Sequence, residues 1–172
     1  DTQATKMSLS ILCWNIAGLH NKLCDQEWQN LVSPFDVLCF QETWSLATSF
    51  DMLGWKQYIA IAEASSHGRP SGGMVTFIRN KLGLHTSRFS FMDNTNLVCV
   101  SLGTSKNKCC LLINVYIPGD AIRGELTLQA LEANIRGYLG SAKLRGTHCS
   151  LIIAGDLNTH LCKPICPLDL DL

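Results

Sequence analysis

Leu151-Ile152-Ile153-Ala154-Gly155-Asp156-Leu157-Asn158-Thr159 is the stretch on which the reading of this chain turns. Its first four residues are apolar or small and read as a buried strand, and Gly155 lets the backbone turn without a Cβ. A carboxylate and a carboxamide then arrive two positions apart. Residues i and i+2 of a strand face the same side, so Asp156 and Asn158 are expected to look into one site. An acceptor-only group beside an amide that both donates and accepts suits a metal-bound phosphate oxygen and the nucleophile attacking it. Gly, Asp and Asn are also ordinary turn residues, and taken alone the stretch is more simply a strand-end turn. What shifts the reading is recurrence upstream.

Ser8 to Asn15 alternates as a strand and ends on an amide, Asn15, before the turn Ile16-Ala17-Gly18-Leu19. Leu23, Trp28, Leu31 and Val32 are spaced as the apolar stripe of a short connecting helix, closed by Ser33-Pro34. Asp36-Val37-Leu38-Cys39-Phe40-Gln41-Glu42 is a buried-strand run that again stops on polar groups, Gln41 and Glu42. Further strands are expected over Tyr58 to Ala62, Met74 to Arg79, Arg88 to Met92, Leu97 to Leu102 and Cys110 to Tyr116, the closely joined ones as antiparallel neighbours. Gly68-Arg69-Pro70-Ser71-Gly72-Gly73 reads as a hairpin connection; it lacks the P-loop pattern and opens no helix. The last of these strands delivers a phenol, Tyr116, and Pro118 stops its ladder. Leu126, Leu128, Leu131, Ile135, Tyr138 and Leu139 keep roughly helical spacing from Glu125 to Leu144, giving a long helix that returns the chain to the Asp156 strand.

The 172 residues are read as a single domain, with irregular ends at 1–7 and 162–172. Hydrophobic residues make up 47% and charged ones 16%, which predicts more than one buried layer or an unusually sticky surface. Net charge is zero and no Lys or Arg run stands out, so composition makes no electrostatic case for nucleic acid or anionic membrane and excludes neither. No apolar run reaches the roughly 20 residues of a membrane-spanning helix, and no membrane partner is expected. The nine cysteines are an odd number, and Cys13, Cys39 and Cys99 sit in strand-like runs, which points to core thiols and an intracellular, reducing compartment. Cys109-Cys110 and the Cys162…Cys166 pair lack the spacing of a structural zinc site. The chain opens on Asp rather than Met, from which a piece of a longer reading frame is expected.

Asn15, Glu42, Tyr116, Asp156 and Asn158 thus all fall at or just past expected strand ends. A rim of two carboxylates, two amides and a phenol supplies the hard oxygen ligands that suit Mg²⁺ or Mn²⁺, and the chemistry it suggests is phosphoester hydrolysis. At this point the chain resembles the endonuclease/exonuclease/phosphatase family. The similarity runs in order through Leu12 to Leu19, Asp36 to Trp44, Gly68 to Met74, Asn114 to Pro118 and Gly155 to Asn158. Gln41-Glu42-Thr43-Trp44 and the Gly68 to Gly73 loop look most like the endonuclease domains of LINE-type retrotransposons. The resemblance implies that Glu42 binds the metal and that Asn15 helps hold metal or phosphate. It further implies that Tyr116 contacts the scissile phosphate, that Asp156 orients or activates the nucleophile, and that Asn158 is its partner. DNA is the partner it implies, Mg²⁺ (or Mn²⁺) the cofactor, and the nucleus the location of a retrotransposon-derived protein.

Two departures accompany the resemblance. Ala17 stands where many nucleases of the family place Asp or Asn, and the family pattern continues past Asn158 to a Ser-Asp-His motif with no counterpart here. The loss of an acid or base typically costs a factor of roughly 10² to 10⁴, so an inactive or impaired enzyme is expected. His160 lies close in sequence to the candidate site and is read as a loop histidine, its role left open. The implied fold class is α/β: the N-terminal, incomplete part of a four-layer sandwich, its sheet largely antiparallel or mixed. These residues are expected to supply mainly the first sheet and its covering helices, leaving an apolar inner face either exposed or covered by C-terminal residues, by the missing half or by a partner. Three functions stand as alternatives: a metal-dependent DNA endonuclease of retrotransposon type, a non-catalytic remnant or partner-binding fragment, and a small-molecule phosphoesterase of the same family.

Overall fold

Val37-Leu38-Cys39-Phe40-Gln41 is buried at every position, which a strand achieves only when both faces of its sheet are covered. The computed structural model, which describes residues 8–105 and 107–158, shows what covers them. One four-stranded sheet holds β1 (Ile11–Asn15), β2 (Val37–Gln41), β3 (Trp55–Ala60) and β4 (Met74–Arg79) in the order β1-β2-β4-β3. A second holds β5 (His85–Phe89), β6 (Leu97–Ser105), β7 (Lys108–Tyr116) and β8 (His148–Asp156) in sequence order. The hairpin-joined strands pair antiparallel, whereas β1 with β2 and β7 with β8 pair parallel across helical connections.

The two sheets pack face to face. Val37, Cys39, Met74 and Ile78 of the first meet Val98, Val100, Leu102 and Leu112 of the second in one buried cluster. Helix α2 (Gln26–Val32) closes the outer face of the first sheet through Trp28 and Val32 against Phe40, Phe77 and Leu38, with Leu23 of the short α1 (His20–Leu23) half-buried beside them. Helix α3 (Ala121–Leu144) closes the outer face of the second, with Ala130 and Tyr138 against Leu97, Leu111, Ile113 and Val115. The α/β sandwich class is therefore present with all four layers. The expectation that these residues build mainly the first sheet is corrected: each sheet contributes four strands, and the inner faces cover each other. Apolar surface left open lies instead on the outer side of edge strand β8, where Leu151 and Ile153 are 40% and 45% exposed.

Local chemistry explains the other differences. The single helix expected around residues 23–32 is two, because Asp25 breaks it and caps α2, its Oδ1 accepting from the Glu27 and Trp28 amides at 2.8 and 3.4 Å. Helix α3 starts at Ala121, four residues early, because Asp120 Oδ1 accepts from the Arg123 amide at 2.8 Å. Its buried face is not the leucine stripe: Gly124, Thr127, Ala130, Asn134, Tyr138 and Ala142 face the sheet, while Leu126, Leu128 and Leu139 are exposed. Small residues let the helix lie close to the strands. Asn134 is buried because it binds the preceding loop, accepting from the Phe91 amide and donating to the Met92 carbonyl. Gly155 does not turn the chain either. It is the eighth residue of β8, paired with Val115, and a Cβ there would lie 1.8 Å from the Val115 carbonyl oxygen.

Candidate active site

The last paired residues of β1 and β2 are Asn15 and Gln41, and those of β7 and β8 are Tyr116 and Asp156. Both parallel pairs therefore end at one mouth of the sandwich. Strand alternation puts Asn15, Gln41, Tyr116 and Asp156 on the inner faces, continuing the rows of Ile11, Cys39, Cys110 and Ala154. Across that mouth Asn15 Nδ2 donates to Asp156 Oδ2 at 2.8 Å, joining the two sheets between residues 141 apart in sequence.

Asp156 is held from its other side as well, Oδ1 accepting from the Asn158 amide at 3.1 Å. Asn158 does not share the facing of Asp156 by strand alternation, since β8 ends at Asp156 and Asn158 has a left-handed backbone with φ of 46°. A local turn brings the two together instead, and Asn158 Nδ2 fixes it by donating to the Ile117 carbonyl at 2.8 Å. Glu42 leaves β2 with φ of 55°, and its Oε2 accepts from Trp44 Nε1 at 2.7 Å and from the Gly72 amide at 3.1 Å. The Tyr116 phenol lies within electrostatic reach of these groups. Burial raises its pKa above the ordinary value, the Glu42 carboxylate and then Asp156 push the same way, and Asn158 opposes them. The fold thus gathers Asn15, Glu42, Tyr116, Asp156 and Asn158 at one place, while His160 lies outside the described residues. Ala17 sits in the rim turn, exposed and with φ of 48°.

Sequence reasoning passed over the layer beneath. Gln41 and Asn114 are fully buried between the sheets, with Gln41 Nε2 donating to Asn114 Oδ1 at 2.6 Å. Asn114 Nδ2 in turn donates to the Val75 carbonyl at 3.1 Å and the Phe40 carbonyl at 3.3 Å. Gln41 precedes Glu42, and Asn114 shares a strand face with Tyr116, so this amide pair sets the spacing of the strand ends that carry the site. The signal available in sequence was an amide inside an otherwise apolar strand run.

Among the described residues no cluster of three or more His, Cys, Asp or Glu forms a preformed metal cage. The donor set is nevertheless one that a hard divalent ion accepts. Two carboxylates act on the same phenol, no Lys or Arg is bonded to either among the described residues, and Mg²⁺ typically uses one or two carboxylates with water and phosphate.

The fold and rim define the class: an α/β sandwich that presents oxygen-bearing side chains at the carboxyl ends of two parallel strand pairs. The sequence profile of the endonuclease/exonuclease/phosphatase family matches residues 12–170, and the chain belongs to that family. Similar solved structures include the 3′ phosphatase NExo from Neisseria bound to product DNA hairpin, at 17% identity and TM-score 0.54 over 86% of this chain and 57% of that one. The Xenopus laevis APE2 catalytic domain is 20% identical with TM-score 0.54, over 88% of this chain and 59% of the other. The endonuclease domain of TRAS1, a telomere-specific non-LTR retrotransposon, is 15% identical with TM-score 0.53, over 87% and 58%. At these identities the likeness is one of fold, and the chain spans less than two thirds of each structure's length. No curated protein matches the sequence.

Proposed function

We propose that this chain carries site residues of a metal-dependent phosphodiesterase acting on DNA. The observation that carries the reading is the 2.8 Å bond from Asn15 to Asp156, which closes a rim of family-motif residues across the two sheets. Asp156 is the group positioned to accept a proton from an attacking water. Its two oxygens are each held by one donor, which fixes the carboxylate's direction and leaves lone pairs for the nucleophile. Tyr116, with its pKa pushed up, stays a phenol at neutral pH and donates to a phosphate oxygen. Asn158 serves by orienting Asp156 through its amide. Glu42 and Asn15 are the residues that would hold Mg²⁺ or Mn²⁺, which when bound offsets charge on the phosphate oxygens and leaving group. The finer assignment, an endonuclease of retrotransposon type, is supported by Gln41 to Trp44 and by the Gly68 to Gly73 loop. The free thiols of the seven described cysteines fit work in a reducing compartment.

The test is plasmid nicking in Mg²⁺ by the chain and by Glu42→Ala and Asp156→Asn. Each substitution is expected to lower the rate by a factor of about 10² to 10⁴. Nicking that survives both would overturn the site. A chain that folds yet never nicks would favour a non-catalytic module, a reading to which the exposed Leu151 and Ile153 of β8 lend support.

A further inference from the structure

Trp44 is fixed in place by its neighbours. Its Nε1 donates to Glu42 Oε2 at 2.7 Å, and its ring packs so closely on Gly18 that a Cβ there would come within 2.9 Å of the indole. Its backbone is tied to the following loop, Trp44 N donating to the Gly72 carbonyl at 2.9 Å and Thr43 N to the Gly73 carbonyl at 3.0 Å. That same loop lays the Arg69 guanidinium over the indole, 3.7 Å from its centroid. A planar cation is thus held one ring away from the Glu42 carboxylate.

The other arginines near this end of the sandwich are committed elsewhere. Arg123 pairs with Glu63 at 2.9 Å and Arg88 donates to the Ile59 carbonyl, while Arg79 lies at the far end of β4, donating to the Phe35 and Ser33 carbonyls. Arg69 is exposed and has no hydrogen bond or ion pair among the described residues. Stacking fixes the plane of a guanidinium while leaving its N–H edge free, and that edge matches two phosphate oxygens. The rotamer freedom that a long cationic side chain ordinarily loses on binding is here reduced beforehand by the ring beneath it.

We propose that Arg69, stacked on Trp44, binds a backbone phosphate of the DNA strand next to the one held at the rim, and so sets how the duplex seats over the site. This rests on the nucleic-acid reading of the rim. The contact is sequence-independent, because a guanidinium meeting phosphate oxygens reads no base edge.

The experiment is fluorescence-anisotropy titration of a labelled DNA duplex with the full 172-residue chain, without divalent metal, over a series of NaCl concentrations. Arg69→Ala is expected to weaken binding by about tenfold at low salt, equally for unrelated sequences. It should also reduce the slope of log K against log salt by about 0.9, the value of one released counterion on duplex DNA. Arg69→Lys should restore the slope, because it keeps the charge, but bind more weakly than the parent, because it loses the flat stack. Parental affinity and slope in Arg69→Ala would overturn the proposal, as would a parent chain that does not bind duplex DNA at all. In nicking assays the defect should fall on KM. A loss confined to kcat would mean that Arg69 merely braces Glu42, and would equally overturn it. Catalysis is read separately: if Glu42→Ala and Asp156→Asn nick normally the hydrolytic reading fails, while the anisotropy slopes still decide the role of Arg69.

Discussion

In the proposed reaction Asp156, Asn15, Asn158 and Tyr116 divide the labour between holding and donating. Asp156 takes one donor on each oxygen, so its direction is set before any substrate arrives. In that proposed role Tyr116 works as a phenol, and the sign of its shift sets the pH behaviour expected of it. Its contribution is complete at neutral pH, persists past the ordinary value of 10.0, and is lost only as pH rises through the elevated pKa. Tyr116→Phe is therefore expected to lower kcat/KM by about 10²-fold at neutral pH, and its difference-absorbance titration should lack one of the two phenols, Tyr116 and Tyr138, that ionise late. If the lost signal titrates at or below the ordinary value, the assigned environment is wrong. Gly155 works at the same scale through space alone. A methyl group at this position meets the backbone oxygen of Val115, which cannot move without parting β7 from β8. Gly155→Ala should destabilise the chain by about 3 kcal/mol or more, read from the midpoint of urea unfolding.

At the scale of elements, the buried amide pair of β2 and β7 registers one sheet on the other. Asn114→Ala removes one acceptor of the buried Gln41 amide, which keeps the Cys39 carbonyl at 3.0 Å, and strips the Val75 and Phe40 carbonyls of their donor; it should cost about 1–3 kcal/mol, whereas the double change Gln41→Leu with Asn114→Leu should recover part of that loss. The double variant is also expected to lose nicking, since it frees the spacing between Glu42 and Tyr116. Helix α3 offers a second contrast. Leu126 is exposed and Ala130 is buried, the reverse of what their hydrophobicity suggests. Leu126→Ala should change stability by under about 0.5 kcal/mol, while Ala130→Leu should cost about 1–3 kcal/mol by overpacking the sheet contact. Denaturant midpoints of the two variants in reversed order would contradict the helix's orientation.

The molecule as a whole buries thiols and a phenol that must stay protonated to remain there. Burial carries Cys39 from 9.0 up to about 12 and Cys99 from 9.0 up to about 11. Tyr138 rises from 10.0 to about 12, again chiefly through burial. The folded state thus holds these protons more tightly than the unfolded chain. Their contribution to stability is complete below about pH 9 and is lost as pH climbs through 9 toward 11 and 12. Urea midpoints measured from neutral pH upward should be flat with respect to these groups and then fall, and Cys39→Val should make the fall shallower. A fall of unchanged steepness in that variant would show that other groups set the alkaline limit.

The sequence by itself determined where strands stop and which polar residues they present, because strand period, proline breaks and residue chemistry are local properties. β2, β4 and β7 were legible as apolar runs, and Asn15, Glu42, Tyr116 and Asp156 as polar residues at or just past the ends of β1, β2, β7 and β8. The family-ordered segments supplied the expectation that these interruptions belong together. Only the tertiary structure decided that Asn15 reaches Asp156 across the mouth of the sandwich, that both sheets and both helical layers are present, and that Gln41 and Asn114 lock them in register. It also decided which face of α3 is buried and that Trp44 carries Arg69. The physical reason is that hydropathy reports how much a residue gains by leaving water. Which partner it meets depends on the shape of the closed sandwich, and there a small residue or a paired amide fits where a leucine does not.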